Sequence, residues 1–166
     1  MTEGIKAPEH AHGDHPIGVH PGMPAPEFTL PDQDNVDFKL SDWRGKRPVV
    51  LFFYPLDWSP VCTLENVCWT RDLAALSAKA EVAAISVDSL WSHRAYAKAN
   101  GYKHRLLSDM QRGVSKAYGL LIEPLNFSQR ATVVVGKDGK VAWIKVQHNP
   151  SEQRDHAEVL KVLEAL

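Results

Sequence analysis

The chain has 166 residues, 44% of them hydrophobic, and a formal net charge of -1. This length and composition predict one globular domain with a hydrophobic core. The near-zero charge gives no electrostatic basis for binding nucleic acid or an anionic membrane, and no apolar run reaches the length of a membrane span.

Residues 1–21 differ from the rest, because they are rich in histidine, proline and glycine. This composition predicts a flexible N-terminal arm, followed by a single domain over residues 22–166. Clustered imidazoles and carboxylates could bind a divalent metal, but their spacing matches no specific metal template. We therefore predict a solvated arm and no metal site; the side chains concerned are Glu9, His10, His12, Asp14 and His15.

Alternating and apolar runs predict strands at 27–30 and 36–40, a helical turn at 41–45, a buried strand at 49–54 and a helix at 63–78. A strand at 81–87, a helix at 90–100 capped by Ser89, a strand at 104–107 and a helix at 112–118 follow. The chain ends with a hairpin of strands 131–135 and 140–146 and a helix at 152–166 capped by Ser151. This order predicts an α/β fold with a central mixed sheet flanked by helices on both faces.

Cys62 lies between the buried strand at 49–54 and the following helix, in the first turn of that helix. Free backbone N–H groups and the positive end of the helix dipole converge at such a position. Both favour the thiolate, which is the reactive form of cysteine. The sequence therefore predicts a reactive thiol at Cys62 and not an inert buried cysteine.

The spacing Pro55-x-x-x-Ser59-x-x-Cys62 resembles the active-site pattern of the peroxiredoxins, Pro-x-x-x-Thr/Ser-x-x-Cys. Five other segments resemble that family in the expected order: 22–30, 86–93, 106–109, 117–120 and 129–140. The pattern is nearest to the bacterioferritin-comigratory and one-cysteine-like members. The resemblance implies a thioredoxin-like fold and no cofactor. It also implies a thiol-dependent peroxidase that reduces hydrogen peroxide or organic hydroperoxides through a sulfenic acid at Cys62.

The resemblance assigns roles around Cys62. Arg130, at the start of a strand, is expected to stabilise the thiolate. The Ser59 hydroxyl, with the backbone N–H groups of Val61 and Cys62, is expected to stabilise charge on the departing oxygen. Pro55 would shield the thiolate, since proline has no N–H to donate. Trp58 is a candidate apolar wall, with ordinary packing or a subunit contact as the alternative.

Glu65 and Cys68 lie on the same helix as Cys62. In the family, an acidic residue at the position of Glu65 commonly supports the arginine; a helix-terminal charge with no further role is the alternative. Some monomeric members carry a resolving cysteine five residues after the first, whereas Cys68 lies six residues after Cys62. Six residues span about 9 Å on an intact helix, and a disulfide needs Cα atoms within about 7 Å, so the helix start would have to unwind. A one-cysteine reaction with an external thiol is the alternative.

The expected partners are a hydroperoxide substrate, a thioredoxin-, glutaredoxin- or similar thiol reductant, and a second copy of the chain in a homodimer. Trp58, Trp69 and Trp91 are candidate apolar contacts for that dimer, and His93 is expected to be a helix cap or a surface residue. A cytoplasmic location is expected, because the first residues lack the features of a secretory signal. Two other functions stay open: a thiol–disulfide exchange protein, which would need a second cysteine in place of Glu65, and a peroxide-sensing redox switch.

Overall fold

The structure, a computed structural model, describes residues 18–149 and 154–166. Its strands are β1 (Thr29–Pro31), β2 (Asp37–Lys39), β3 (Val49–Phe53), β4 (Glu81–Ser86), β5 (Arg105–Ser108), β6 (Leu121–Ile122), β7 (Phe127–Ser128), β8 (Arg130–Val135) and β9 (Val141–Gln147). Its helices are α1 (Pro60–Ser77), α2 (Leu90–Asn100), α3 (Gly113–Ala117) and α4 (His156–Glu164), and a 3₁₀ turn covers Leu40–Trp43.

The predicted mixed sheet is confirmed as five strands in the order β5-β4-β3-β8-β9. β3 pairs in parallel with β4 and antiparallel with β8. The register places Phe53, the last residue of β3, opposite Ala131 in β8. The loop that follows β3 therefore begins beside Arg130, the first residue of β8.

The two faces of the sheet carry separate hydrophobic clusters, because successive side chains of a strand point to opposite sides. Val50 and Phe52 pack with the side chains of α1 and α4, including Trp69 and Val159. Val49, Leu51 and Phe53 face the other cluster, which contains side chains from β2, α3 and the segment before β1. The first cluster includes Cys62, so the predicted reactive thiol is part of the packed interior.

Several boundaries differ from the sequence prediction. Helix α1 begins at Pro60, three residues early, because Ser59 caps it and proline suits the first helical position. Helix α4 begins at His156 after the cap Asp155, whereas the predicted cap Ser151 lies outside the described residues. The short pair β6–β7 was not predicted.

The predicted N-terminal arm falls largely outside the described residues, and so does the stretch from Glu9 to His15. Val19, within the predicted arm, is buried in the core, so packed chain extends back at least to that residue. Within residues 18–149 and 154–166, no helix has the length and apolar character of a membrane span. The same residues contain no group of three or more His, Cys, Asp or Glu side chains that could hold a metal ion.

Candidate active site

Cys62 is the third residue of α1, and its side chain is fully buried. The Ser59 hydroxyl oxygen caps the helix by accepting a hydrogen bond of 3.3 Å from the Cys62 backbone N–H. This bond changes one expectation, because the Cys62 amide was expected to face the peroxide and instead donates to Ser59. The Ser59 O–H is left to donate elsewhere. The other predicted amide donor belongs to Val61, which is partly exposed at the mouth of the site.

Arg130 reaches the sulfur from the start of β8. Its Nη2 donates to Cys62 Sγ at 3.3 Å, and its Nη1 donates to Glu65 Oε2 at 2.6 Å. The Arg130 side chain is only 10% exposed, so little water screens these contacts. The structure thus brings together Cys62, Arg130 and Glu65, which the sequence had placed on two separate elements.

Arg154, which the sequence analysis missed, completes this cluster. Its Nε lies 3.4 Å from Glu65 Oε1, and its Nη1 donates to the Ala131 carbonyl at 2.9 Å. Its Nη2 donates to the Phe53 carbonyl. Burial lowers the pKa of Arg154, and the nearby Glu65 carboxylate opposes that effect. One carboxylate is therefore shared by two guanidinium groups.

The buried cluster carries a net positive charge beside the sulfur of Cys62. Two guanidinium cations and one carboxylate leave an excess of one positive charge, which is unfavourable in a poorly solvated site. The N-terminus of α1 adds the positive end of the helix dipole at the same place. The site therefore offers electrostatic stabilisation to negative charge that develops next to Cys62.

A second network of buried hydrogen bonds holds the loop between β3 and α1. The Tyr54 hydroxyl donates to Asp57 Oδ1 at 2.6 Å, and His93 Nδ1 lies 2.9 Å from Asp57 Oδ2. His93 Nε2 lies 3.1 Å from the Leu107 carbonyl. His93 is fully buried, so the expectation of a helix cap or a surface residue is wrong. Burial raises the pKa of Tyr54 well above its ordinary value, which keeps the hydroxyl proton available to Asp57.

Pro55 and Trp58 occupy the exposed side of this loop. Pro55 is half-buried directly after Tyr54, and Trp58 has a φ of 67°, which is unusual for a residue with a bulky side chain. The Trp58 indole N–H donates to Ser92 Oγ at 3.2 Å, and its ring lies 5.1 Å from that of Tyr96. Trp58 is 54% exposed, so it forms an outer wall of the loop.

Cys68 and Cys62 are both free thiols on α1, which is continuous from Pro60 to Ser77. Cys68 is half-buried and lines a cavity of about 430 Å³, which Val61, Glu65 and Arg154 also line. The unbroken helix keeps the two sulfurs apart in this conformation. The cavity gives the neighbourhood of Cys68 access from outside.

Comparison with known proteins places the chain in a family. A model described as the AhpC/TSA family matches residues 21–144. The chain is 34% identical over 156 residues to the 2-Cys peroxiredoxin BAS1 of Hordeum vulgare, covering 87% of this chain and 74% of that protein. It is 39% identical over 152 residues to peroxiredoxin Q of Populus jackii, covering 89% and 70%. The chain belongs to the peroxiredoxin family. The reduced 2-Cys peroxiredoxin of Plasmodium vivax has a similar structure, with a TM-score of 0.80 and 33% identity over 89% of this chain and 96% of that one.

Membership of the peroxiredoxins establishes the fold and the class of reaction. The fold is thioredoxin-like, and the enzyme is a thiol-dependent peroxidase, an oxidoreductase. Sequence reasoning missed Arg154 and the partners of His93. Neither had a local signal, because Asp57 lies 36 positions from His93 and Glu65 lies 89 positions from Arg154.

The expectation that Trp69 contributes to a dimer surface of this peroxiredoxin is wrong. Trp69 is fully buried and stacks on Phe52, with ring centroids 4.0 Å apart. It therefore cannot contribute to a dimer surface. Trp58 and Trp91 are exposed in the single chain, as such a surface would require.

Proposed function

We propose that this peroxiredoxin reduces hydrogen peroxide and organic hydroperoxides with the thiolate of Cys62. The sulfur attacks the terminal peroxide oxygen, the O–O bond breaks, and the rest of the peroxide leaves as water or an alcohol after gaining a proton. Cys62 becomes a sulfenic acid. The observation that carries this proposal is the 3.3 Å contact between Arg130 Nη2 and Cys62 Sγ at the N-terminus of α1.

The neighbouring side chains supply what this reaction needs. The Arg130 guanidinium stabilises negative charge on the sulfur and then on the departing oxygen. The Ser59 O–H is a second donor, positioned by its bond to the Cys62 amide. Glu65 fixes the angle of Arg130 through the 2.6 Å bond. Pro55 stiffens the loop and presents no competing donor.

The sulfenic acid is resolved, in this proposal, by Cys68. The Cys68 thiol attacks the Cys62 sulfur, an S–S bond forms, and the hydroxyl group leaves as water. Cys68 lies six residues after Cys62 and borders an open cavity, so it can move towards the site when the start of α1 unwinds. A thioredoxin-, glutaredoxin- or similar thiol reductant then reduces the disulfide.

Two further features belong to the same proposal. We infer a homodimer that covers the exposed Trp58 and Trp91, since large exposed indoles are typical of subunit contacts. We infer a cytoplasmic location, in which thiol reductants keep the resting cysteines reduced.

Intact-mass measurement of the wild type, Cys62→Ser and Cys68→Ser tests the assignments. After one equivalent of hydrogen peroxide, the wild type should lose two hydrogens, Cys68→Ser should gain one oxygen, and Cys62→Ser should not react rapidly. A gain of one oxygen in the wild type would replace Cys68 with an external thiol. Rapid oxidation of Cys62→Ser would overturn the assignment of Cys62. Consumption of many peroxide equivalents with a thiol donor distinguishes a peroxidase from a sensor, which consumes one.

A further inference from the structure

The burial of Cys62 imposes a movement on the catalytic cycle. Its side chain is fully buried and lies on an unbroken helix, so Cys68 cannot bond to the sulfur in this conformation, and an external thiol reductant, which is much larger than hydrogen peroxide, cannot reach it. Under the function proposed above, on which this inference rests, a thiol has to attack that sulfur in every turnover. The first turns of α1 must therefore open and close repeatedly.

A chain of buried hydrogen bonds ties those turns to the rest of the fold. The Asn66 amide Nδ2 donates to the Cys62 carbonyl at 3.0 Å. His104 Nε2 lies 2.8 Å from Asn66 Oδ1, and His104 Nδ1 lies 3.0 Å from Thr70 Oγ1. Thr70 Oγ1 accepts from the Lys103 backbone N–H at 3.2 Å. Asn66 and His104 are both buried, so water does not compete for these bonds.

The proton positions in this chain follow from the partners. Since Asn66 donates through Nδ2, its Oδ1 must accept, and His104 Nε2 must carry a hydrogen. Since Thr70 Oγ1 already accepts from Lys103, its own hydrogen can point to His104 Nδ1. A neutral imidazole has one donor and one acceptor, as this arrangement requires. Burial lowers the pKa of His104 to about 3, so the neutral form persists at neutral pH.

This chain of hydrogen bonds links the part of α1 that must open to a part further along the helix. Cys62 lies in the turn that must open, whereas Thr70 lies two turns further along the helix. His104, just before β5, bridges Thr70 and Asn66 from outside the helix. The bonds of Asn66 and His104 reach the Cys62 carbonyl and not its sulfur, so these residues hold the backbone without taking part in the chemistry.

We propose that Asn66 and His104 are positioning residues that hold the first turns of α1 closed and thereby set how the Cys62 sulfenic acid reacts. In the open form, a thiol attacks the sulfur, an S–S bond forms, the S–O bond breaks, and water leaves. In the closed form, the sulfur attacks a second hydroperoxide, the O–O bond breaks, and a sulfinic acid forms with release of water or an alcohol. A tighter closed form gives more sulfinic acid per turnover.

The double variant Asn66→Leu/His104→Phe removes this chain of hydrogen bonds and puts apolar side chains of similar size in the place of both residues. Replacing both partners avoids a buried polar group without a partner, so the variant should fold. Asn100→Ala is the matched control, because Asn100 Nδ2 donates to the carbonyl of Tyr96, four residues earlier in α2, at 2.9 Å.

The double variant removes three hydrogen bonds, of which only the bond to the Cys62 carbonyl lies in the turn that opens. Loss of one net hydrogen bond shifts an opening equilibrium by about fivefold. In cycles with hydrogen peroxide and dithiothreitol, the sulfinic fraction per turnover, measured by intact mass, should fall about fivefold in the double variant. Backbone amides of residues 62–67 should exchange hydrogen about fivefold faster. The first oxidation of Cys62 should stay within about twofold of wild type, because Arg130 and Ser59 keep their contacts. The control should match the wild type in all three.

Unchanged sulfinic fraction and unchanged amide exchange in the double variant would overturn the proposal. Asn66→Ser, which leaves His104 in place, serves the same test if the double variant does not fold. A wild type whose Cys62 is not oxidised would be a different failure, since it removes the proposed function. The exchange measurement needs no peroxide and tests the hydrogen-bond chain in either case. A change in thermal stability alone, with both readouts unchanged, would assign Asn66 and His104 a purely structural role.

Discussion

Replacing Arg130 by alanine removes the cation that is bonded to the sulfur of Cys62. The Arg130 Nη2 contact of 3.3 Å is nearly shielded from solvent, and hydrogen bonds to charged groups contribute about 1.5–3 kcal/mol. Each 1.36 kcal/mol corresponds to about tenfold in rate. Since the same guanidinium, in the proposed mechanism, also stabilises the departing oxygen, we expect Arg130→Ala to slow the oxidation of Cys62 about 100-fold.

Arg130→Lys separates charge from geometry. Lysine keeps the positive charge, but a single ammonium group cannot span Glu65 and Cys62 as the two guanidinium nitrogens do. We therefore expect a smaller loss, of about tenfold, in the same rate constant.

The assay is single-turnover oxidation of Cys62 by hydrogen peroxide, stopped at short times by a thiol-blocking reagent and measured by intact mass. Arg94→Ala is the control, because Arg94 is exposed and its Nε donates to the Gln33 carbonyl at 2.9 Å, on another part of the surface. An Arg130→Ala rate within about threefold of the wild type would refute the role of this contact.

Two more predictions concern buried charge. Glu65→Gln should slow oxidation about tenfold, because Arg130 loses the 2.6 Å charge-assisted bond that fixes its angle, and single-turnover oxidation measures this effect. The same variant should lower the free energy of unfolding by about 3 kcal/mol, because it leaves two buried guanidinium groups without their shared carboxylate, and urea unfolding measures that loss. For His104, the folded pKa of about 3 lies below the ordinary value of 6.5, so the unfolded chain binds the proton first as the pH falls. The stabilisation is complete above pH 6.5 and is lost towards pH 3, with about 2 kcal/mol lost between pH 7 and pH 5. Urea unfolding of the wild type at both pH values should show this loss. In His104→Phe, the loss of unfolding free energy between the two pH values should be smaller by about 2 kcal/mol. Equal losses would contradict the effect of burial on His104.

The sequence predicted the sheet and the place of Cys62 because both depend on local patterns. The apolar run of β3 is buried along its whole length, and the helix that follows brings its own cap, Ser59. The hairpin of β8 and β9 likewise followed from two apolar runs around a glycine-containing turn. Such features need few residues, all close together in the chain.

The residues that support the site were not predicted, because their positions depend on tertiary contacts. Arg154 lies 89 positions from Glu65 and 101 from Phe53, and no local pattern distinguishes it from a surface arginine. His93 shows the opposite error, since its position at the start of α2 suggested a surface residue. Its burial follows from Asp57, 36 residues earlier, which meets it only after the sheet has formed.

Under the proposed mechanism, the charge of the cluster couples the chemistry to the opening of the first turn of α1. With the thiolate present, two cations face two anions, and Arg130 holds the sulfur by a charge-assisted bond. Oxidation to a sulfenic acid removes the negative charge from the sulfur. The bond from Arg130 then weakens, because bonds to charged acceptors are about twice as strong as bonds to neutral ones. The cluster also regains its excess positive charge, which favours access of water. We therefore expect the first turn of α1 to be held most tightly before the peroxide reacts and less tightly afterwards, when the proposed mechanism requires a thiol to enter.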